Sequence, residues 1–279
     1  MYKTIVVHID GSPQQECRMR AAALLANEHG AHLVGSAATG ISWLDFALLT
    51  GSMAAPRPED DFAALRQAAA LRLDQFTEQA RRMGVASAEA RLVDDVADYA
   101  LLQQSRYADL IVLGQDAQAQ PGLPAPMHGL PARVALHGAR PVLVIPEAYQ
   151  DQPVGGTVVA GWDGSMQAMR ALAGALPLLM RADSVKLALI NPDQLSGLHG
   201  EEPGADMALY LARHGVRVDV VLERTASTVG TALLALARDS GAGLVVSGAY
   251  GHSRYREWVL GGATRELLER APVPLLIAH

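Results

Sequence analysis

The segment TIVVHIDGSPQ, starting at Thr4, returns as TVVAGWDGSMQ, starting at Thr157. Two further pairs follow in the same order. ADLIVLGQ from Ala108 matches AGLVVSGA from Ala242, and ARPVLVIPE from Ala139 matches PVPLLIAH from Pro272. The offsets are 153, 134 and 133 residues, and the drop reflects extra sequence in the first half, mainly Gly40 to Pro58. A period of this length is too long for a solenoid and is the size of a domain. The chain therefore reads as one unit duplicated, with expected domains at 1–148 and 155–279. The junction is expected in EAYQDQPVGG, Glu147 to Gly156, which is polar and rich in turn formers.

Each unit alternates strand and helix. The expected strands are 3–9, 31–37, 87–93, 109–114 and 141–145, then 157–162, 185–190, 216–222, 243–248 and 273–278. Runs such as LIVLG and LVVSG are apolar on both faces, as in a parallel sheet covered on both sides. Between strands the periodicity is helical. Phe62, Leu65, Leu73, Phe76 and Met83 fall on one face. Gly30 and Gly84 follow helical runs as stops. Right-handed crossovers then give two doubly wound α/β domains.

Bulk properties narrow the function. No apolar run reaches the roughly 18 residues of a spanning helix, and the N-terminus lacks the pattern of a signal peptide. Cys17 is the only cysteine, which excludes a disulfide framework and a cysteine metal site. These features lead us to expect a cytoplasmic protein without membrane contact. The net charge of -6 argues against a general nucleic-acid binder.

Open parallel sheets bind ligands beyond the carboxyl ends of their strands. There the second half carries Asp163-Gly164-Ser165 after its first strand and SGAYGHSRYREWVLGGATRELLER, Ser247 to Arg270, after its fourth. Gly248, Gly251, Gly261 and Gly262 leave backbone amides approachable. The helix opening at Gly261-Gly262-Ala263-Thr264 offers unpaired N–H groups and the positive end of its dipole. His252, Arg254 and Arg256 add charge. This is the composition of a phosphate cradle; a glycine-loosened loop with solvated arginines is the alternative.

This layout resembles a tandem universal stress protein over nearly the whole chain. Its distinctive part is Gly-x2-Gly-x9-Gly, present as Gly248, Gly251 and Gly261, together with the early aspartate, Asp163. The resemblance implies ATP or a related adenine nucleotide, with or without magnesium. It would lie between Asp163 and the loop Gly248, Gly251, His252, Arg254, Gly261, Gly262, Ala263 and Thr264. It also implies the strand order 3-2-1-4-5 in each domain, with the final strands pairing the domains about a pseudo-two-fold axis. The chain departs from the pattern at Gly262, where the family has Ser or Thr. One hydrogen bond to phosphate is lost, worth roughly 0.5–1.5 kcal/mol, or 1.5–3 to a charged group.

The first half is different. Ala117 replaces the second glycine of the pattern, and Gly129 and Arg133 match Gly261 and Arg265 across a loop two residues longer. Pro121, Pro124, Pro126 and Pro131 each remove a backbone donor, and Asp116 adds a negative charge. We expect this half to have lost phosphate binding, leaving Asp10-Gly11-Ser12 to cap a helix. Asp163-Gly164-Ser165 is open to the same capping role.

Enzymatic readings are weaker. There is no Gly-x4-Gly-Lys-Ser/Thr and no Gly-x-Gly-x-x-Gly after a strand. An aspartyl-phosphate chemistry needs a second carboxylate for magnesium, which DGS does not supply. His29 and His32 lack a third ligand. Cys17 reads as a buried, inert thiol. No catalytic residue and no metal site is assigned, and a slow ATPase is the most that an enzymatic reading sustains. A scaffold acting through dimerisation and partner contacts is the other class, and a homodimer is compatible with the sequence. The apolar stretch GISWLDFALLTGSMAAPRPE, 40–58 with its flanking residue, sits where a loop is expected. It fits either a lid over the first half's crevice or a contact patch.

Overall fold

A computed structural model of the chain describes residues 1–51, 58–116, 129–150, 152–195, 202–250 and 262–279. The first half contains β1 (Thr4–His8), α1 (Gln15–His29), β2 (His32–Ala38), α2 (Trp43–Gly51), α3 (Pro58–Arg82), β3 (Ala88–Val93), α4 (Ala97–Ser105), β4 (Leu110–Gly114), α5 (Leu130–His137) and β5 (Val142–Ile145). The second contains β6 (Thr157–Gly161), α6 (Met166–Leu179), β7 (Ser184–Ile190), a 3-10 turn (Pro192–Leu195), α7 (Ala205–Arg213), β8 (Val218–Glu223), α8 (Val229–Asp239), β9 (Leu244–Gly248), α9 (Gly262–Arg270) and β10 (Leu275–Ala278).

The strands form one sheet in the order β3-β2-β1-β4-β5-β10-β9-β6-β7-β8. Each half thus has the order 3-2-1-4-5 and is parallel throughout. The halves join where β5 meets β10 antiparallel, with Leu143 opposite Leu276. Those two leucines are equivalent in the duplication, 133 residues apart. A pseudo-two-fold axis therefore passes between them, as the resemblance implied.

Alternate residues of every strand but the outermost, β3 and β8, enter opposite cores. Ile5, Val7 and Ile9 join a cluster with α1, α3, α6 and α7. Val6 joins the other, with α4, α5, α8 and α9. Both faces being buried explains the unbroken apolar runs. Both clusters also draw residues from the two halves, so the cores run through the seam. Tyr2 reinforces it, its hydroxyl donating to the Gly174 carbonyl of α6 at 2.8 Å.

Two local expectations change. The stretch after Gly40 is a helix, α2, up to Gly51; 52–57 lie outside the described residues. Trp43 and Phe46 of α2 pack with Phe62 of α3, at centroid distances of 5.1 and 5.5 Å. Leu44, Leu48 and Leu49 stay exposed. On α3, Phe62, Leu73 and Phe76 are buried, but Leu65 is exposed. Phe76 is seated because Gly35 on β2 has no side chain. A Cβ there would stand 2.6 Å from the ring.

Candidate functional site

In the second half, β6 and β9 are neighbours with Ala160 beside Val246. Their continuations, Asp163 and Gly248, therefore emerge side by side at the switch point of the sheet. Asp163 is half-buried and its Oδ1 accepts the Ser165 amide at 2.9 Å. Gly164 takes a positive φ of 77°, which closes the turn. Ser165 is the N-cap of α6, its hydroxyl accepting the Ala168 amide at 3.1 Å. Capping in this turn falls to Ser165 rather than to Asp163.

Gly248 has a strict steric reason to be glycine. A Cβ there would lie 2.5 Å from the Ala168 amide nitrogen, inside the backbone of α6. After it, Ala249 is buried and its carbonyl is held by His279 Nδ1 at 2.8 Å. Tyr250 adopts a positive φ of 62°, and its amide donates to Thr264 Oγ1 at 3.1 Å. Thr264 is buried, so its oxygen ties the end of β9 to the first turn of α9. The Tyr250 hydroxyl is pushed up to about 12, by burial and then by the charge of Asp116.

The first turn of α9, Gly262-Ala263-Thr264, contains no acid. Among the described residues nothing lies within 4 Å of a Cβ built on Gly262. The helix start carries the positive end of the α9 dipole. Of the sequence-derived site residues, Asp163, Gly248, Gly262, Ala263 and Thr264 are described. Gly251, His252, Arg254 and Gly261 lie outside the described residues.

The matching place in the first half is built quite differently. Asp10 accepts the Ser12 amide at 2.9 Å, as Asp163 accepts Ser165. Yet α1 begins later, with Gln14 at its cap position and no side-chain capping bond. Asp10 is instead engaged by Arg18, whose Nη2 donates to Oδ1 at 2.5 Å. Arg18 is 3% exposed and reaches the end of β4, where a Cβ on Gly114 would stand 2.5 Å from its Nη1. Arg72 of α3 arrives from the other side. A Cβ on Gly11 would stand 2.9 Å from its Cδ.

Burial pushes the Asp10 carboxyl up, but Arg18, the Ser12 amide and His8 outweigh this and hold it below the usual range. Burial, aided by Arg18 and Arg72, pushes His8 down to about 4 against the pull of Asp10. The helix-capping role expected of Asp10 is therefore corrected: it anchors a buried arginine. The residue equivalent to Arg18 in the second half is Ala171, fully buried and without charge. Position 18 lies on an alanine-rich helix face, RMRAAALL, and that was the one sequence signal for this difference.

Among the described residues no three His, Cys, Asp or Glu side chains are grouped to hold a metal, and no helix is long and apolar enough to cross a membrane. Residues 156–279 match the sequence profile described as Universal stress protein family. A universal stress protein from Archaeoglobus fulgidus DSM 4304 aligns with 99% of this chain and 97% of its own, at 15% identity and a TM-score of 0.70. A protein of unknown function from Pseudomonas aeruginosa PAO1 aligns with 99% of this chain and 92% of its own, at 16% identity and a TM-score of 0.59. A universal stress protein in complex with cAMP matches 52% of this chain and 98% of its own, at 22% identity and a TM-score of 0.36. No curated protein matches the chain.

Proposed function

We propose that this chain, whose residues 156–279 match the universal stress protein family and whose whole length shares the fold of a universal stress protein, is a regulatory module that binds an adenine nucleotide in its C-terminal half only. The division into 1–148 and 155–279 belongs to this reading. The observation that carries it is the contrast between the two crevices. Beside Asp163 the equivalent of Arg18 is Ala171, and the first turn of α9 is free of carboxylates. Beside Asp10 two arginines occupy the same ground.

The residues fit an adenine nucleotide. Asp163 would take the ribose hydroxyls, since a carboxylate accepts two donors at once. The amides opening α9 would take the phosphates, and Gly248 and Gly262 keep side chains out of their way. His252 and Arg254 would add charge to the loop. ATP, with or without magnesium, supplies the polyanion that such donors need. On this reading the chain's own residues bind and orient the nucleotide.

Calorimetric titration of ATP, ADP and AMP tests the reading. We expect about one equivalent of ATP bound by the wild type and none by Gly251→Val, whose side chain would block the phosphates. A second reading, a scaffold that works through partner contacts without nucleotide, is favoured by Gly262 standing where a hydroxyl would help. Absence of binding by the wild type would establish that second reading instead.

A further inference from the structure

The arginines of the N-terminal crevice do more than fill it. Arg18 is spent in part on Asp10, but its Nε is buried and meets no acceptor among the described residues. Arg72 is half-buried, and its Nε is likewise buried without an acceptor. Arg72 lies over Gly11, and Arg18 lies over Gly114 and against Asp10, so both sit at the neighbouring ends of β1 and β4. The other groups there are accounted for. His8 is neutral near pH 7. The Ser12 hydroxyl lies 3.4 Å from Arg18 Nη2, and Gln15 Oε1 accepts the Gly11 amide at 2.6 Å. Gln14 Oε1 stands 3.1 Å from a Cβ built on Gly114.

Arg18 is paired with Asp10, while Arg72 has no acidic partner among the described residues, and the Nε donors of both stand without an acceptor at the ligand end of β1 and β4. Buried polar groups are normally hydrogen-bonded. We propose that the N-terminal crevice is a site for one small oxyanion, a phosphate or carboxylate head group, gripped by Arg18 Nε and the Arg72 guanidinium. The planar fork of arginine suits two oxygens of such a group. A nucleotide is excluded by the arginine side chains themselves, which occupy the space over Gly11 and Gly114. The assignment is independent of the nucleotide reading for the other half.

The test is titration of the full-length chain with inorganic phosphate and, separately, acetate at low ionic strength. Three proteins are compared: wild type, Arg72→Gln and Gly251→Val. We expect one equivalent bound by the wild type and by Gly251→Val, and at least tenfold weaker binding by Arg72→Gln. Arg72→Lys should recover part of the affinity, since it restores charge without the fork. The stronger of the two anions identifies the head group. The Arg18 Nε–H resonance of the wild type should also shift on saturation, a readout that needs no variant to fold. The proposal is overturned if neither anion binds the wild type or if that resonance stays fixed. It is equally overturned if Arg72→Gln binds as well as wild type, or if binding disappears in Gly251→Val.

Discussion

On the proposed reading, single side chains decide which half can take which ligand. Among the described residues nothing crowds a Cβ on Gly262, so on that reading Gly262→Ser should supply the missing hydroxyl. We expect ATP to bind about 2- to 12-fold more tightly, the equivalent of roughly 0.5–1.5 kcal/mol, as read by calorimetry. Gly248 is crowded, and its Cβ would press on backbone rather than on a movable side chain. Gly248→Ala should cost about 3 kcal/mol or more by urea unfolding, the upper end for overpacked sites. His8 makes a pH prediction. Its folded value is depressed to about 4, so the unfolded chain takes up the proton first. Stability is full above about pH 6.5 and falls as pH drops from there towards 4, by on the order of 2–3 kcal/mol. Asp10 acts in the same direction at lower pH, because its depressed carboxyl stabilises the fold only while ionised. In melts from pH 7 to 4, His8→Gln should flatten the upper part of that decline; an unchanged slope would contradict the assignment.

The helices and strands differ in how much they owe to local sequence. Ser165 caps α6, whereas Ser12 caps nothing. Ser165→Ala should therefore cost about 1 kcal/mol, and Ser12→Ala distinctly less, in the same unfolding assay. The expected strands lie within about two residues of those described; for the inner ones a short apolar run bounded by turn formers fits little besides a buried strand, whereas β3 and β8 are edge strands with no buried residue. The helix α2 was not legible. Trp43 and Phe46, three residues apart, share a helix face, but the short apolar stretch runs into Pro56 and Pro58 and reads as loop. Its stability comes from Phe62 on the next helix, a contact that no local pattern announces. The site divides in the same way. Glycine spacing at 248, 251 and 261 is visible in one dimension. The Arg18–Asp10 pair is not, because an arginine at Asp10 plus eight residues normally reads as a solvated surface charge. Only comparison with Ala171, in three dimensions, gives it meaning.

Across the molecule, ten strands make one sheet and each core face continues from half to half. Two domains joined only by a tether would unfold independently; these share the β5–β10 ladder and both clusters. We expect one cooperative transition in urea, the same whether followed by Trp43 in the first half or, in Trp43→Phe, by the remaining tryptophans. Two separated midpoints would show that the seam is weaker than its packing suggests. The shared sheet also sets the two crevices in one rigid frame, at the ligand ends of β1 and β4 and of β6 and β9. On this account duplication supplied two equal crevices, and one was then closed to nucleotides by Arg18 and Arg72. A crystal structure grown with excess ATP tests that asymmetry. The account predicts one ATP, between Asp163 and the start of α9, with the Arg18–Asp10 pair intact. ATP lodged beside Asp10, in addition or instead, would contradict it.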